Sequence, residues 1–309
     1  MPVELTPFEQ IAQRIYPGAR VRSVTELSGG ISCTMTRVDL ESKQSFVVRM
    51  VGKWSFEHYP DSAKNESGLL AHLGANGIPV PKPLYFDTLC SILPRPFVVL
   101  EYVEGSPDLT VTTVTDRVVK MANQLADIHQ LDISHPAFAF MEPSKVNIRP
   151  SEGEPNEVLE ETKIRRVLTE VFPVVEENPY RFRHGDFWPG NMLWHDGNVA
   201  AIIDWEEASI GDPLFDVAIA RMDILWAYGA AAASEFTAQY RVRMDLNYRY
   251  LPFWDLRVSL RPITNIAVWA TSFPPLGRPD VTEELMIDRH RWFVDQAILK
   301  LDRLPSLPD

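Results

Sequence analysis

The spacing of apolar residues changes along this chain, and the change divides it in two. Thr6-Pro7 followed by Phe8, Ile11, Ala12 and Ile15 has the period of an amphipathic helix, capped at its start and stopped by Pro17-Gly18. Short β-type runs come next, from Val21 to Leu27, Ile31 to Leu40 and Ser45 to Val51, with the turn signal Ser28-Gly29-Gly30 between the first two. Pro60-Asp61 opens a second helix with a Leu69, Leu70, Leu73 stripe, ended by Gly74 and Gly77. Strands are predicted again at Pro83 to Asp87 and Phe97 to Tyr102. After Glu104-Gly105-Ser106-Pro107 the helical period dominates: Val118 to Leu131, Val158 to Val175, Leu214 to Tyr228, Glu235 to Tyr250, Pro252 to Thr271 and Thr282 to Leu304. Only Phe182 to Asp204 breaks this pattern, with loop and short strand. The expected organisation is a strand-rich part over 1–104 and a helical part over 105–309, with no internal repeat or low-complexity tract.

Bulk properties narrow the class without fixing the chemistry. A chain of 309 residues with 45% apolar and 23% charged residues is long enough for two lobes around ordinary globular cores. Its net charge of −12 argues against nucleic acid or an anionic membrane as partner and is compatible with a cationic small molecule. Cys33 and Cys90 are the only cysteines and have no metal-ligand spacing, so reduced thiols are expected. The start of the chain reads as neither signal peptide nor membrane span, and a cytoplasmic location is the expectation.

The chemistry concentrates in His184-Gly185-Asp186-Phe187-Trp188-Pro189-Gly190-Asn191 and, after a short apolar run, Ile202-Ile203-Asp204-Trp205. An Asp that can orient a hydroxyl, an Asn five residues later and a second Asp are what magnesium-dependent phosphoryl transfer asks of a protein. An isolated loop Asp would ordinarily be read as a turn former. The company of Asn191 and Asp204 is what lifts Asp186 above that reading.

These residues, with Gly211-Asp212-Pro213 and Asp216 beyond them, resemble the aminoglycoside phosphotransferase (choline-kinase-like) family of small-molecule kinases, which shares the protein-kinase fold. The resemblance continues upstream in family order. It runs through Leu27-Ser28-Gly29-Gly30-Ile31-Ser32, Phe46-Val47-Val48-Arg49, Asn65-Glu66, Val98 to Gly105 and Leu125 to His129, and spans about residues 20 to 220. It implies an α+β, two-lobe architecture: a small antiparallel-sheet N-lobe and a larger, mainly helical C-lobe.

The resemblance also implies roles. Asp186 would be the catalytic carboxylate, with Asn191 and Asp204 the ligands of Mg²⁺, a hard cation that takes oxygen donors. Ser28, Gly29 and Gly30 would let backbone amides approach the phosphates of ATP or GTP. Arg49 would grip the phosphates, with Glu66 as its ion-pair partner, and Glu101 to Val103 would offer backbone groups to the nucleobase. The commonest pattern has Lys at the position of Arg49, and an Arg fork is not a Lys point charge. His184 and Asp216 would brace the loop.

By the same resemblance, Glu206, Glu207, Trp226, Tyr228, Trp254, Asp255, Trp269 and Glu283 are candidates for the acceptor side, although helical spacing favours a core place for most of the tryptophans. The leading reading is a kinase acting on a hydroxyl of an aminoglycoside, amino alcohol or sugar. The alternative, which rests on Arg49, is a nucleotide-binding pseudokinase with a regulatory or scaffold role. A protein kinase is disfavoured because His-Arg-Asp, Asp-Phe-Gly and Ala-Pro-Glu signals are missing.

Overall fold

The computed structural model describes residues 6–27, 33–111, 113–145 and 153–303; Ser28, Gly29 and Gly30 lie outside the described residues. The chain forms two compact units. One runs to Gly105 and includes His135–Phe140 and Ala200–Ile203, and the other comprises the remainder.

The first unit begins with α1 (Pro7–Ile15). Thr6 and Glu9 cap it reciprocally: Glu9 N donates to Thr6 Oγ1 and Thr6 N to Glu9 Oε2. Strands β1 (Val21–Leu27), β2 (Thr34–Leu40), β3 (Ser45–Met50), β4 (Pro83–Asp87) and β5 (Phe97–Glu101) form a five-stranded antiparallel sheet ordered β1-β2-β3-β5-β4. Alternation along the strands sends Val38, Leu40, Phe46, Val48, Phe97 and Val99 to one face, where they pack with Ile11 and Ala12 of α1. The intervening Val47, Val98 and Leu100 occupy the other face, and α3 (Ser62–Ala75) packs against β4 and β5 through its buried Leu69, Leu70 and Leu73. Between β3 and α3 lies a short helix, α2 (Lys53–His58), too brief to show a period in sequence.

The second unit contains α4 (Val114–His129), α5 (Glu161–Val171), β6 (Arg181–Arg183), β7 (Met192–His195), β8 (Asn198–Ile202), β9 (Ser209–Gly211), α6 (Leu214–Tyr228), α7 (Ala230–Arg243), α8 (Leu251–Val258), α9 (Ile266–Ala270) and α10 (Glu283–Leu301). Strand β8 runs on into the first unit at Ala200. Helix α6 is buried along nearly all its length, and α7, α8 and α10 pack around it. Its surface is largely apolar, as an enclosed helix requires, with Asp216, Arg221 and Asp223 as its charged residues. No helix among the described residues is long and apolar enough to cross a membrane.

Two helical expectations need correction. The run from Glu235 to Tyr250 is helical only as far as Arg243 and starts earlier, at Ala230, after Gly229 with φ +90°. Beyond it, Asn247 is held in a reciprocal pair with Asn178: Asn247 N donates to Asn178 Oδ1, and Asn178 Nδ2 to Asn247 O. The run from Pro252 to Thr271 is two helices, α8 and α9, rather than one. Pro262 cannot donate to a helical ladder, and the chain turns between them.

Candidate active site

In the second unit, the loop between β6 and β7 carries Asp186 and Asn191. Its backbone is shaped before any side chain acts. Gly185 has φ +86°, and a Cβ at that position would stand 2.1 Å from Glu207 O, so only glycine fits. The carboxylate of Asp216, in the first turn of α6, accepts from His184 N at 2.7 Å and from Gly185 N at 3.0 Å. His129 Nε2 approaches Asp216 Oδ2 at 3.3 Å, and its Nδ1 meets Tyr240 Oη at 2.7 Å. Burial would raise the Asp216 carboxyl, but the His129 hydrogen bond and nearby positive charge outweigh it and hold the group below its ordinary value. A buried ionised carboxylate thus ties α4, α6 and α7 to the start of the loop. Asp212 makes a second tie, accepting from Asn178 N at 2.7 Å and Leu214 N at 2.8 Å.

The reactive end of the loop is fixed just as closely. Asn191 Nδ2 donates to Asp186 O at 2.9 Å and to Asp186 Oδ2 at 3.0 Å. Both amide hydrogens are therefore directed at Asp186, which leaves Asn191 Oδ1 as an oxygen donor for another ligand. The other carboxylate oxygen, Asp186 Oδ1, accepts from Arg261 Nη2 at 2.8 Å, and the same nitrogen reaches Glu207 Oε2 at 3.3 Å. His184 is fully buried, and its Nδ1 accepts from Asp186 N at 3.2 Å. Its ring packs against Trp205, and Trp205 stacks on Phe182.

Asp204 is exposed and sits two residues beyond β8 with φ +66°, an uncommon backbone setting for any residue but glycine. Among the described residues, no group of three or more His, Cys, Asp or Glu could hold a metal by itself. The donor set nonetheless suits Mg²⁺, which binds through one or two protein oxygens and completes its shell with phosphates and water. The Asn191 amide oxygen and the Asp204 carboxylate are such donors.

Residues expected on the nucleotide side are found in the first unit. Arg49 Nη1 on β3 donates to Glu66 Oε2 on α3 at 2.7 Å, with both side chains mostly buried. Glu101 closes β5, and its N donates to Lys82 O.

Several acceptor-side candidates prove to be packing residues. Trp226 and Trp254 are buried, and Asp255 is held by a two-point ion pair with Arg221. Two residues at the site escaped sequence reasoning. Arg261 was hidden inside an expected helix. Asp223, 7% exposed on α6, faces both Arg261 and Asp186, and burial pushes its carboxyl up to about 8. With Asp216 and Arg221 it is one of three charged residues in a mostly apolar helix, and that was the available signal for Asp223.

A β-rich unit with an Arg–Glu pair and a helical unit with a braced Asp–Asn loop together define a kinase-type phosphotransferase architecture. The chain belongs to the phosphotransferase enzyme family, whose sequence profile matches residues 23–254. Spectinomycin phosphotransferase, solved with ADP and spectinomycin, is similar in fold, with a TM-score of 0.62 and 13% identity over 97% of this chain and 99% of that one. A GDP and kanamycin complex of an aminoglycoside 2″-phosphotransferase gives a TM-score of 0.59 and 18% identity, over 96% and 97% of the two chains. Acyl-CoA dehydrogenase family member 11 of Homo sapiens is 26% identical over 168 residues, 48% of this chain and 21% of that protein. The match therefore spans about a fifth of that longer relative.

Proposed function

We propose that this protein transfers the γ-phosphate of ATP or GTP to a hydroxyl of a small molecule such as an aminoglycoside, amino alcohol or sugar. The observation that carries this reading is the fixing of Asp186. One carboxylate oxygen is held by Asn191 and the other by Arg261, on a loop whose start is tied down by Asp216. Catalysis of phosphoryl transfer rests mainly on positioning and charge neutralisation, and an immobilised carboxylate provides the first.

In this mechanism Asp186 accepts a hydrogen bond from the incoming hydroxyl, aims its oxygen at the phosphorus and takes its proton late. Asn191 keeps the Asp186 carboxylate oriented while turning its own amide oxygen outward. Asn191 and Asp204 would hold Mg²⁺, which supplies positive charge to the phosphate oxygens. Arg49, kept in place by Glu66, adds charge on the nucleotide phosphates. Ser28, Gly29 and Gly30 would supply backbone amides there, and Glu101 and Val103 would meet the base.

The ligands named for the similar structures support a nucleotide paired with a hydroxylated small molecule, and they include both an adenine and a guanine nucleotide. The pseudokinase alternative drew on Arg49, and the Arg49–Glu66 pair weakens it, because the positive charge is present and anchored. The test is phosphorylation itself. Incubation with Mg·ATP or Mg·GTP and a panel containing kanamycin, spectinomycin, ethanolamine derivatives and sugars should give a product heavier by one phosphoryl group, absent with Asp186→Ala. Product formation that persists in Asp186→Ala would remove the basis of the reading.

A further inference from the structure

Arg261 is a mostly buried cation, its side chain 17% exposed, placed against the carboxylate that the proposed reaction depends on. Taking a guanidinium out of water costs several kcal/mol, and an ion pair recovers that only with good geometry. Elsewhere the fold uses arginine as a strut in the usual forked way. Arg221 meets Asp255 through Nε at 2.9 Å and Nη2 at 3.0 Å, one bond to each oxygen. Arg261 does something different. Its Nη2 alone bonds both Asp186 Oδ1 and Glu207 Oε2, while its Nε and Nη1 bond no protein group among the described residues. This is a poor arrangement for a strut and a good one for holding a single carboxylate oxygen.

The backbone that presents Arg261 is itself heavily constrained. In the turn after α8, Arg261 N donates to Val258 O at 2.9 Å, and Ser259 Oγ to Leu256 O at 2.7 Å. From α10, His290 Nε2 donates to Ser259 O at 2.9 Å, with His290 and Ser259 both fully buried. Burial holds the His290 imidazole below its ordinary value, which keeps it a neutral donor. The Trp269 ring lies 5.9 Å from the guanidinium, and Asp223 adds a third acid facing it.

We propose that Arg261 is a positioning residue for phosphoryl transfer, holding Asp186 Oδ1 so that the carboxylate plane Asn191 fixes from the other side presents a defined lone pair to the acceptor hydroxyl. The inference rests on the assignment of Asp186 as the catalytic carboxylate. Without Arg261, Asp186 keeps only its Asn191 bond and can turn about its terminal torsion. The reaction then loses rate, because the orientation of reacting groups is a large part of its acceleration. Nucleotide affinity is untouched, because Arg261 acts on the acceptor side of Asp186.

The test compares wild type with Arg261→Ala, Arg261→Lys and Asp186→Asn. Mg·ATP turnover is measured with water or an added hydroxyl compound as acceptor, and Mg·ATP affinity by titration calorimetry. Arg261→Ala should lower kcat by about 10- to 100-fold with nucleotide Kd unchanged. Sub-denaturing guanidinium should restore part of that loss, and Arg261→Lys should fall between. A merely structural arginine would show no guanidinium rescue. Wild-type kcat in Arg261→Ala, or a loss that neither Lys nor guanidinium reverses, overturns the proposal. Wild-type turnover that equals Asp186→Asn overturns the underlying assignment of Asp186 instead.

Discussion

Replacing Asp223 with asparagine should change how the stability of the protein depends on pH. The wild-type carboxyl is buried on α6, hydrogen-bonds no protein group among the described residues, and is pushed up to about 8 from 3.8. In the unfolded chain it ionises near the ordinary value. Between those two pH values the folded state therefore binds more protons than the unfolded state, and stability falls as pH rises through the window. Each unit is worth about 1.4 kcal/mol, so moving from pH 5 to pH 8 would cost the wild type up to about 4 kcal/mol through this group. Local relaxation and water entry will reduce that, and we expect about 2–4 kcal/mol. Asparagine keeps the shape and removes the titration. Urea denaturation of wild type and Asp223→Asn at pH 5, 6.5, 8 and 9 isolates the term, because every other titrating group is common to both. The stability difference should swing in favour of the variant as pH rises and level off above about pH 8. Two curves that stay parallel from pH 5 to pH 9 would refute the argument.

Other expected outcomes follow from the same contacts. Gly185→Ala forces a side chain onto Glu207 O and a left-handed backbone, so it should cost about 2–4 kcal/mol in denaturant and abolish turnover. Asp216→Asn removes an ionised carboxylate whose folded value lies below its unfolded one. That carboxylate contributes stability above the unfolded value and loses it as pH falls through the folded one, so the variant should be weaker by about 2–4 kcal/mol at pH 7 and converge on wild type in strong acid. Arg49→Met should weaken Mg·nucleotide binding about tenfold by calorimetry, while Arg49→Lys retains most of it, because charge matters more here than the forked shape.

Much of the first unit was legible because its signals are local. Strand β1 and helix α1 fall where alternation, capping and Pro-Gly punctuation put them, and β3 ends one residue short of expectation. Helix α6 matches its predicted span because apolar residues dominate it from Leu214 to Tyr228. The region after Arg243 was not legible, since the Asn178–Asn247 pair that holds it joins residues far apart in sequence. The same limit explains the site. Asp186, Asn191 and Asp204 lie within one short stretch, and the roles proposed for them come from its resemblance to the family's motif. Arg261 reaches Asp186 across 75 positions, through a turn that Pro262 forces and His290 supports. Nothing in the local pattern around Arg261 marks it as a partner of Asp186. For most of the tryptophans weighed for the acceptor side, helical spacing favours a core place, and Trp226 and Trp254 are indeed buried.

The central claim is a magnesium-dependent nucleotide site in which Asp204 serves the metal and Asp186 serves the acceptor. Its most direct test is calorimetric titration of ATP and GTP, with and without Mg²⁺, into wild type, Asp186→Ala and Asp204→Ala. The account predicts tight binding to wild type only with Mg²⁺, nearly the same affinity in Asp186→Ala, and loss of the Mg²⁺ enhancement in Asp204→Ala. Binding of neither nucleotide to the folded wild type, or an undiminished Mg²⁺ enhancement in Asp204→Ala, would contradict it.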